Sequence, residues 1–200
     1  STMVRWVLAG LEHDAGFASI EGPLLTTVVY ATLGAALVLA ASILPAALTS
    51  RSPSRGAWVE HGAYLTSSVP GVLLAFGMLH LILFLEREAP IALGDTSLWT
   101  WLEGGSVFLF IGYIMRFLSQ GYAATKPAIL QVDTRLVDAA RSLGAGTLRR
   151  LRHVWAPSMA PGLLAAYVLL FVAVAKELPV TLMLIPAGQQ TLAYRVFDAQ

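Results

Sequence analysis

The chain has 200 residues, 56% of them hydrophobic and 12% charged, with a net charge of +1 and a mean hydropathy of +0.69. Soluble domains carry about 25% charged residues, so this composition excludes an ordinary soluble domain and points to a polytopic membrane protein. With no cysteine in the sequence, disulfides, thiolate metal sites, iron–sulfur clusters and cysteine nucleophiles are excluded as well.

In chain order, the start, STMVRWVLAG, has neither the basic region nor the long apolar core of a secretory signal, and it reads as an internal point of a longer protein. Residues 1–23 hold Glu12, Asp14 and Glu21 against Arg5. The first apolar run, 24–48, is long enough to cross a bilayer. Within it Gly34, with Thr27, Ala31 and Ala35, offers a close-approach face to another helix. Loop 49–62 holds Arg51 and Arg55 against Glu60. A second span is expected over 63–85, with Pro70 either at its first turn or at a kink, and with Gly71-x3-Ala75 as a second small-residue face. His80 lies inside it with no second ligand at i±3 or i±4, which favours a hydrogen bond over metal chelation.

Residues 86–97 carry Glu86, Glu88 and Asp95 against Arg87. The third span is expected over 98–118, with Glu103 and Arg116 near opposite ends and Trp99, Trp101 and Tyr113 in aromatic belts. Segment 119–160 holds Lys126, Arg135, Arg141, Arg149, Arg150 and Arg152 against Asp133 and Asp138. A fourth span starts near Pro161 and carries Lys176 and Glu177 before Pro179, where the regular helix is expected to end or kink. Lys and Arg gather in cytoplasmic loops. This places 49–62 and 119–160 in the cytoplasm and leaves the N-terminal segment 1–23, loop 86–97 and the C-terminal segment 186–200 outside. The membrane domain is then 24–185.

The basic segment has internal order. Asp133 is placed to cap a helix, on which Leu136, Val137, Ala140 and Leu143 form one apolar stripe. Gly144 and Gly146 suit a helix end at positive φ, and a second short helix is expected over Thr147–Val154. Taken alone, such an element either lies on anionic lipid or docks a cytoplasmic partner. The sharp double-glycine corner favours docking, and the arginines of RRLRH are ordinary positive-inside charge rather than a nucleic-acid site.

The pattern Asp138-Ala139-Ala140-x3-Gly144-x9-Val154-x-Ala156-Pro157 closely resembles the EAA loop of permease subunits of bacterial binding-protein-dependent ABC importers. The family form is Glu-Ala-Ala-x3-Gly-x9-Ile-x-Leu-Pro, so Asp138, Val154 and Ala156 depart from it in residue but not in spacing. Lys176-Glu177-Leu178-Pro179, Thr181-Leu182-x3-Pro186 and Thr191-Leu192-Ala193 look like the ferric-iron permeases in particular, and the resemblance runs from about Gly22 to Gln200.

The resemblance implies an all-α, polytopic transmembrane bundle of the type I ABC importer permease kind. It has four spans here and a cytoplasmic coupling helix, and reads as part of one half of a double-length permease. It also implies that Asp138, Ala139, Ala140, Gly144, Val154 and Pro157 couple the chain to a separate cytoplasmic ATP-binding subunit. Further implied partners are a periplasmic or lipid-anchored substrate-binding protein and a second permease half, in the bacterial inner membrane. The expected substrate is ferric iron, or another small solute of the thiamine, polyamine, phosphonate or sulfate type.

The chain has no P-loop and no HExxH, GxSxG or GxGxxG. It is therefore expected to be a transporter subunit and not an enzyme, with no cofactor or metal of its own and with ATP bound by its partner. Glu177 is the candidate residue of the translocation path, at the outer mouth, where it would favour a cation in transit; snorkelling with interhelix hydrogen bonds is the other reading of Lys176 and Glu177. Two competing classes are a secondary transporter, which would place charges or broken helices near mid-bilayer, and a non-transport membrane scaffold.

Overall fold

Residues 24–48 are apolar on all sides, the composition of a helix whose solvent is lipid. In the computed structural model they lie within α1, Ala18–Arg51. The structure describes residues 18–51, 53–93, 106–186, 189 and 191–198, and among these every regular element is helical. Thr27, Ala31, Ala35, Val38, Ser42, Ala46 and Thr49 are buried along one stripe of α1, at the spacing of a helix face. Leu25, Leu33, Leu37, Leu44 and Leu48 stay exposed on the other side.

The second apolar stretch is not one straight span. α2 (Pro53–Leu65) runs through a 3-10 turn (Thr66–Ser68) into α3 (Gly71–Leu93). Between Gly56–Ser68 and Gly71–Leu85 the helix direction changes by 95°. The cause is Pro70, which disfavours helical backbone in the residue before it; Val69 is extended, at φ −90° and ψ 121°. The Pro70 carbonyl then accepts the Leu74 N–H at 3.1 Å, so Pro70 opens α3 rather than kinking it from within.

The third span lies later than its hydropathy predicts. It is α4, Val107–Leu130, so Arg116 stands well inside the helix and not at an end. Residues 98–105, with Trp99, Trp101 and Glu103, lie outside the described residues, as do residues 1–17. α4 runs on through the first part of the expected 119–160 loop and leaves only a short connection before α5, Thr134–Ser142.

The fourth span also begins early. α6 is continuous from Thr147 to Ala175, with one π turn at Leu151–Trp155. The expected short helix Thr147–Val154 is therefore the foot of the span itself, and Pro161 lies inside the helix rather than at its entry. The helix ends at Ala175, as Pro179 requires, and α7 (Pro179–Leu184) and α8 (Leu192–Asp198) follow. α1, α4 and α6 are each long and apolar enough to cross a membrane, and the bent α2–α3 pair makes a fourth crossing if counted as one.

α4 is the hub and packs against α1, α6, α7, α3 and α2. One core joins Tyr30, Val38, Met78, Tyr113, Leu170 and Val180. A second, toward the other end, joins Ala46, Ala63, Tyr122, Ile129, Val132 and Met159. Lipid tails offer no hydrophobic drive between helices, so close packing and hydroxyl bonds carry the association. A Cβ on Gly34 would stand 2.9 Å from the Tyr113 ring, and one on Gly162 would stand 2.6 Å from the Ala128 Cβ. Thr125 bonds Ser42 at 2.8 Å, and Tyr122 donates to Thr49 at 3.1 Å. Each acceptor hydroxyl back-bonds its own helix, at Leu39 and Ala46, which fixes the direction of the donors.

Candidate functional site

Two features carry function-bearing chemistry. The first is the elbow between α4 and α6. Asp133 accepts the Arg135 N–H at 2.8 Å and caps α5 as expected. Gly144 turns the chain at φ 76°, a conformation costly for any residue with a Cβ. Gly146 does not share it: at φ −64° it opens α6 in ordinary backbone. No residue of α5 is buried. Leu136, Leu143, Leu148 and Leu151 are all exposed, Leu143 to 87%.

Asp138, Ala139 and Gly144 lie on the exposed corner and Ala140 is half-buried. Val154 falls in the π turn of the second arm, and Pro157 is exposed one turn above it. The structure thus gathers 138–144 at the tip and sets Val154 and Pro157 on the helix behind it. α5 touches that arm at its first turns, and Trp155 and Val137 pack against the second core. Deeper in, Lys126 of α4 pairs with Glu60 of α2 at 2.9 Å and lies over the Tyr122 ring.

The second feature is a polar layer where two helices break at one level. Lys176 and Glu177 follow the end of α6, and Gly71 follows the bend before α3. A Cβ on Gly71 would stand 3.3 Å from Arg116 Nε and 3.3 Å from Glu177 Oε1, so α3, α4 and the α6–α7 break meet there. Arg116 is nine residues into α4, about 13 Å along it. Glu177 therefore lies at the level of the Arg116 side chain, inward from the start of α4.

Its carboxylate accepts the Val180 N–H at 3.4 Å and its carbonyl accepts the Thr181 hydroxyl at 2.7 Å. Both bonds hold it to the first turn of α7. Arg116 Nε is buried with no hydrogen-bond partner among the described residues. Arg116, Gln120, Lys176 and Glu177 line one groove of about 950 Å³ between α4 and α6, otherwise walled by residues such as Leu164 and Val172.

The other polar candidate, His80, faces outward, stacks on Phe76 and bonds the Phe76 carbonyl of its own helix at 3.2 Å. Among the described residues no group of three or more His, Cys, Asp or Glu could hold a metal ion. The meeting of Arg116, Gly71 and Glu177 was not read from the sequence. Pro70-Gly71 and Pro179 mark the two breaks, but nothing in the spacing says that they share a level. Arg116 inside α4 and the two helix breaks are features that the competing class of secondary transporter is also expected to show.

Apolar helices long enough to span a bilayer, two breaks that meet in a polar layer and an exposed elbow between spans define a polytopic membrane permease. Residues 36–200 match the family described as binding-protein-dependent transport system inner membrane component, and the chain belongs to that family.

The chain is 24% identical over 200 residues to the Fe(3+)-transport system permease protein FbpB 2 of Haemophilus influenzae, which spans 98% of this chain and 37% of that protein. It is 27% identical over 150 residues to the ferric transport system permease protein FbpB of Actinobacillus pleuropneumoniae, across 74% of this chain and 20% of that one. A Salmonella typhimurium protein that carries the name 2-aminoethylphosphonate transport system permease protein PhnV is 30% identical over 141 residues, 70% of this chain and 48% of its own. The chain spans less than half the length of these relatives.

Proposed function

We propose that this chain is the membrane-spanning component of an ATP-driven importer. It forms part of the translocation path and is driven through its elbow by a separate cytoplasmic ATP-binding subunit. The observation that carries this reading is the elbow itself, an exposed helix and glycine corner with Leu143 bare beside Gly144. Exposed leucines among arginines are the surface of a docking partner rather than of a folded core. Asp138, Ala139, Ala140 and Gly144 form the docking tip, with Val154 and Pro157 on the arm behind it. A substrate-binding protein delivers solute from the periplasm, and a second permease half closes the path, part of whose wall is Glu177.

Ferric iron is the proposed solute, supported by the ferric names of two relatives. The relative named for 2-aminoethylphosphonate supports a second reading, a small phosphonate-type solute.

The test is coupling in the assembled transporter. Gly144→Pro, or a charge placed at Ala140, should leave ATP hydrolysis running while transport falls away. Changes at Asp138 or Gly144 should also weaken, without abolishing, capture of the ATP-binding subunit. Unchanged capture and unchanged solute moved per ATP would remove the reading.

A further inference from the structure

We infer that Arg116, with Lys176, sets the sign of the path: the wall of the groove between α4 and α6 selects solutes that present an oxyanion and turns away bare cations. This inference rests on the path reading above. It identifies the substrate class as a solute bearing carboxylate, phosphonate or phosphate, or a metal ion enclosed by such groups.

The argument starts from an unmet need. A guanidinium inside an apolar bundle is expensive unless its N–H groups find acceptors. Arg116 Nε has none among the described residues, although it is shielded from solvent. The carboxylate that lines the groove with it, Glu177, forms no ion pair with it among the described residues and is held by the Val180 N–H. Glu177 thus offsets the cation without satisfying it.

The rest of the wall has the same character. Gln120 lies one turn along α4 from Arg116, on the same face, and adds amide donors. Lys176 lies across the groove at the end of α6 and adds a second cation. Two cations stand against one carboxylate in a groove of about 950 Å³ whose other lining residues are mostly aliphatic. The guanidinium fork matches a carboxylate or phosphonate edge in two parallel bonds. A bare cation meets repulsion from both charges, strengthened by the low dielectric around them.

The test uses the whole transporter in liposomes with Val172→Cys in this chain, which has no cysteine of its own. Val172 lines the groove one turn before Lys176 and is 52% exposed. The introduced thiol is challenged with anionic sulfonatoethyl methanethiosulfonate and with cationic trimethylammonioethyl methanethiosulfonate. Rates are read as the mass shift of this chain and divided by those of a free thiol.

The corrected anionic rate should exceed the cationic rate by about tenfold, the scale of one or two nearby charges in a partly wet cleft. Arg116→Lys should keep that preference, and Arg116→Gln should remove most of it. Equal corrected rates with Arg116 in place overturn the inference, as does a preference that Arg116→Gln leaves unmoved. If Arg116→Gln does not assemble, the rates in the Arg116 parent decide alone. A thiol that neither reagent reaches, at rest or during turnover, instead removes the path reading beneath.

Discussion

The Tyr113 hydroxyl donates to Thr181 Oγ1 at 2.7 Å, and the Thr181 hydroxyl donates onward to the Glu177 carbonyl at 2.7 Å. A threonine has one hydroxyl proton, so the second bond fixes the direction of the first. Both side chains are almost wholly buried. The relay ties α7 to the hub helix just where α6 breaks. A buried hydrogen bond contributes on the order of 1 kcal/mol net, so Tyr113→Phe should lower stability by about that much. Thermal unfolding in detergent would check it, with Tyr167→Phe as the comparison because its 3.4 Å bond is exposed and weak.

Gly162→Ala should be the more damaging change. Its Cβ would meet the Ala128 Cβ at 2.6 Å and the Ala128 Cα at 3.1 Å, and that backbone atom has no rotamer to swing away. α4 and α6 must part, at a cost of about 1–3 kcal/mol. Gly62→Ala in α2 meets nothing within 4 Å and should hold or raise stability, as a helix-interior glycine is worth up to about 1 kcal/mol less than alanine. Denaturation curves of the two variants, run together, decide this.

Gly144 and Gly146 should respond oppositely to alanine. A Cβ at φ 76° costs about 1–2 kcal/mol, while Gly146, at φ −64°, sits where alanine is at ease. Limited proteolysis at the elbow would report the difference. Gly144→Ala should be cut faster than the parent and Gly146→Ala no faster.

Glu177→Gln removes the one carboxylate from the groove wall while keeping a side-chain oxygen for the Val180 N–H. With Arg116 and Lys176 then unopposed, an oxyanion is held rather than passed on, so uptake by the assembled transporter should fall several-fold with assembly intact. Undiminished uptake would remove Glu177 from the path.

The Lys126–Glu60 pair should matter little to stability. The two side chains are 28% and 36% exposed, and such pairs contribute about 0–1 kcal/mol. A double-mutant cycle with Lys126→Ala and Glu60→Ala that gave a coupling above this range would show that the Tyr122 ring beneath Lys126 and the neighbouring helices screen the pair from water.

What the sequence made legible followed local rules. Asp133 as a cap, Gly144 at positive φ, the stop before Pro179 and the small-residue face of α1 each depend on a few neighbouring residues. Averaged hydropathy does not carry the rest. A window over 98–118 takes its apolar character from the start of α4, and Arg116 and Lys126 look like a boundary, so the expected third span begins too early. A charge held by packing is invisible to that average. Pro70 marks the bend at Val69–Pro70, but residues 61–85 hold no Asp, Glu, Lys or Arg, so an averaging window runs across it and gives no angle. The level shared by Arg116, Gly71 and Glu177 is set by how three helices pack, which spacing along the chain does not encode.

α6 has one further consequence. It is a single rod of 29 residues, about 43 Å long. Its foot is one arm of the elbow and its head carries Lys176 to the groove. A close contact with α4, Gly162 on Ala128, falls close to the middle. That contact makes a fulcrum. A rigid rod held there turns about that point, so a displacement of Thr147 away from the bundle would carry Ala175 toward it.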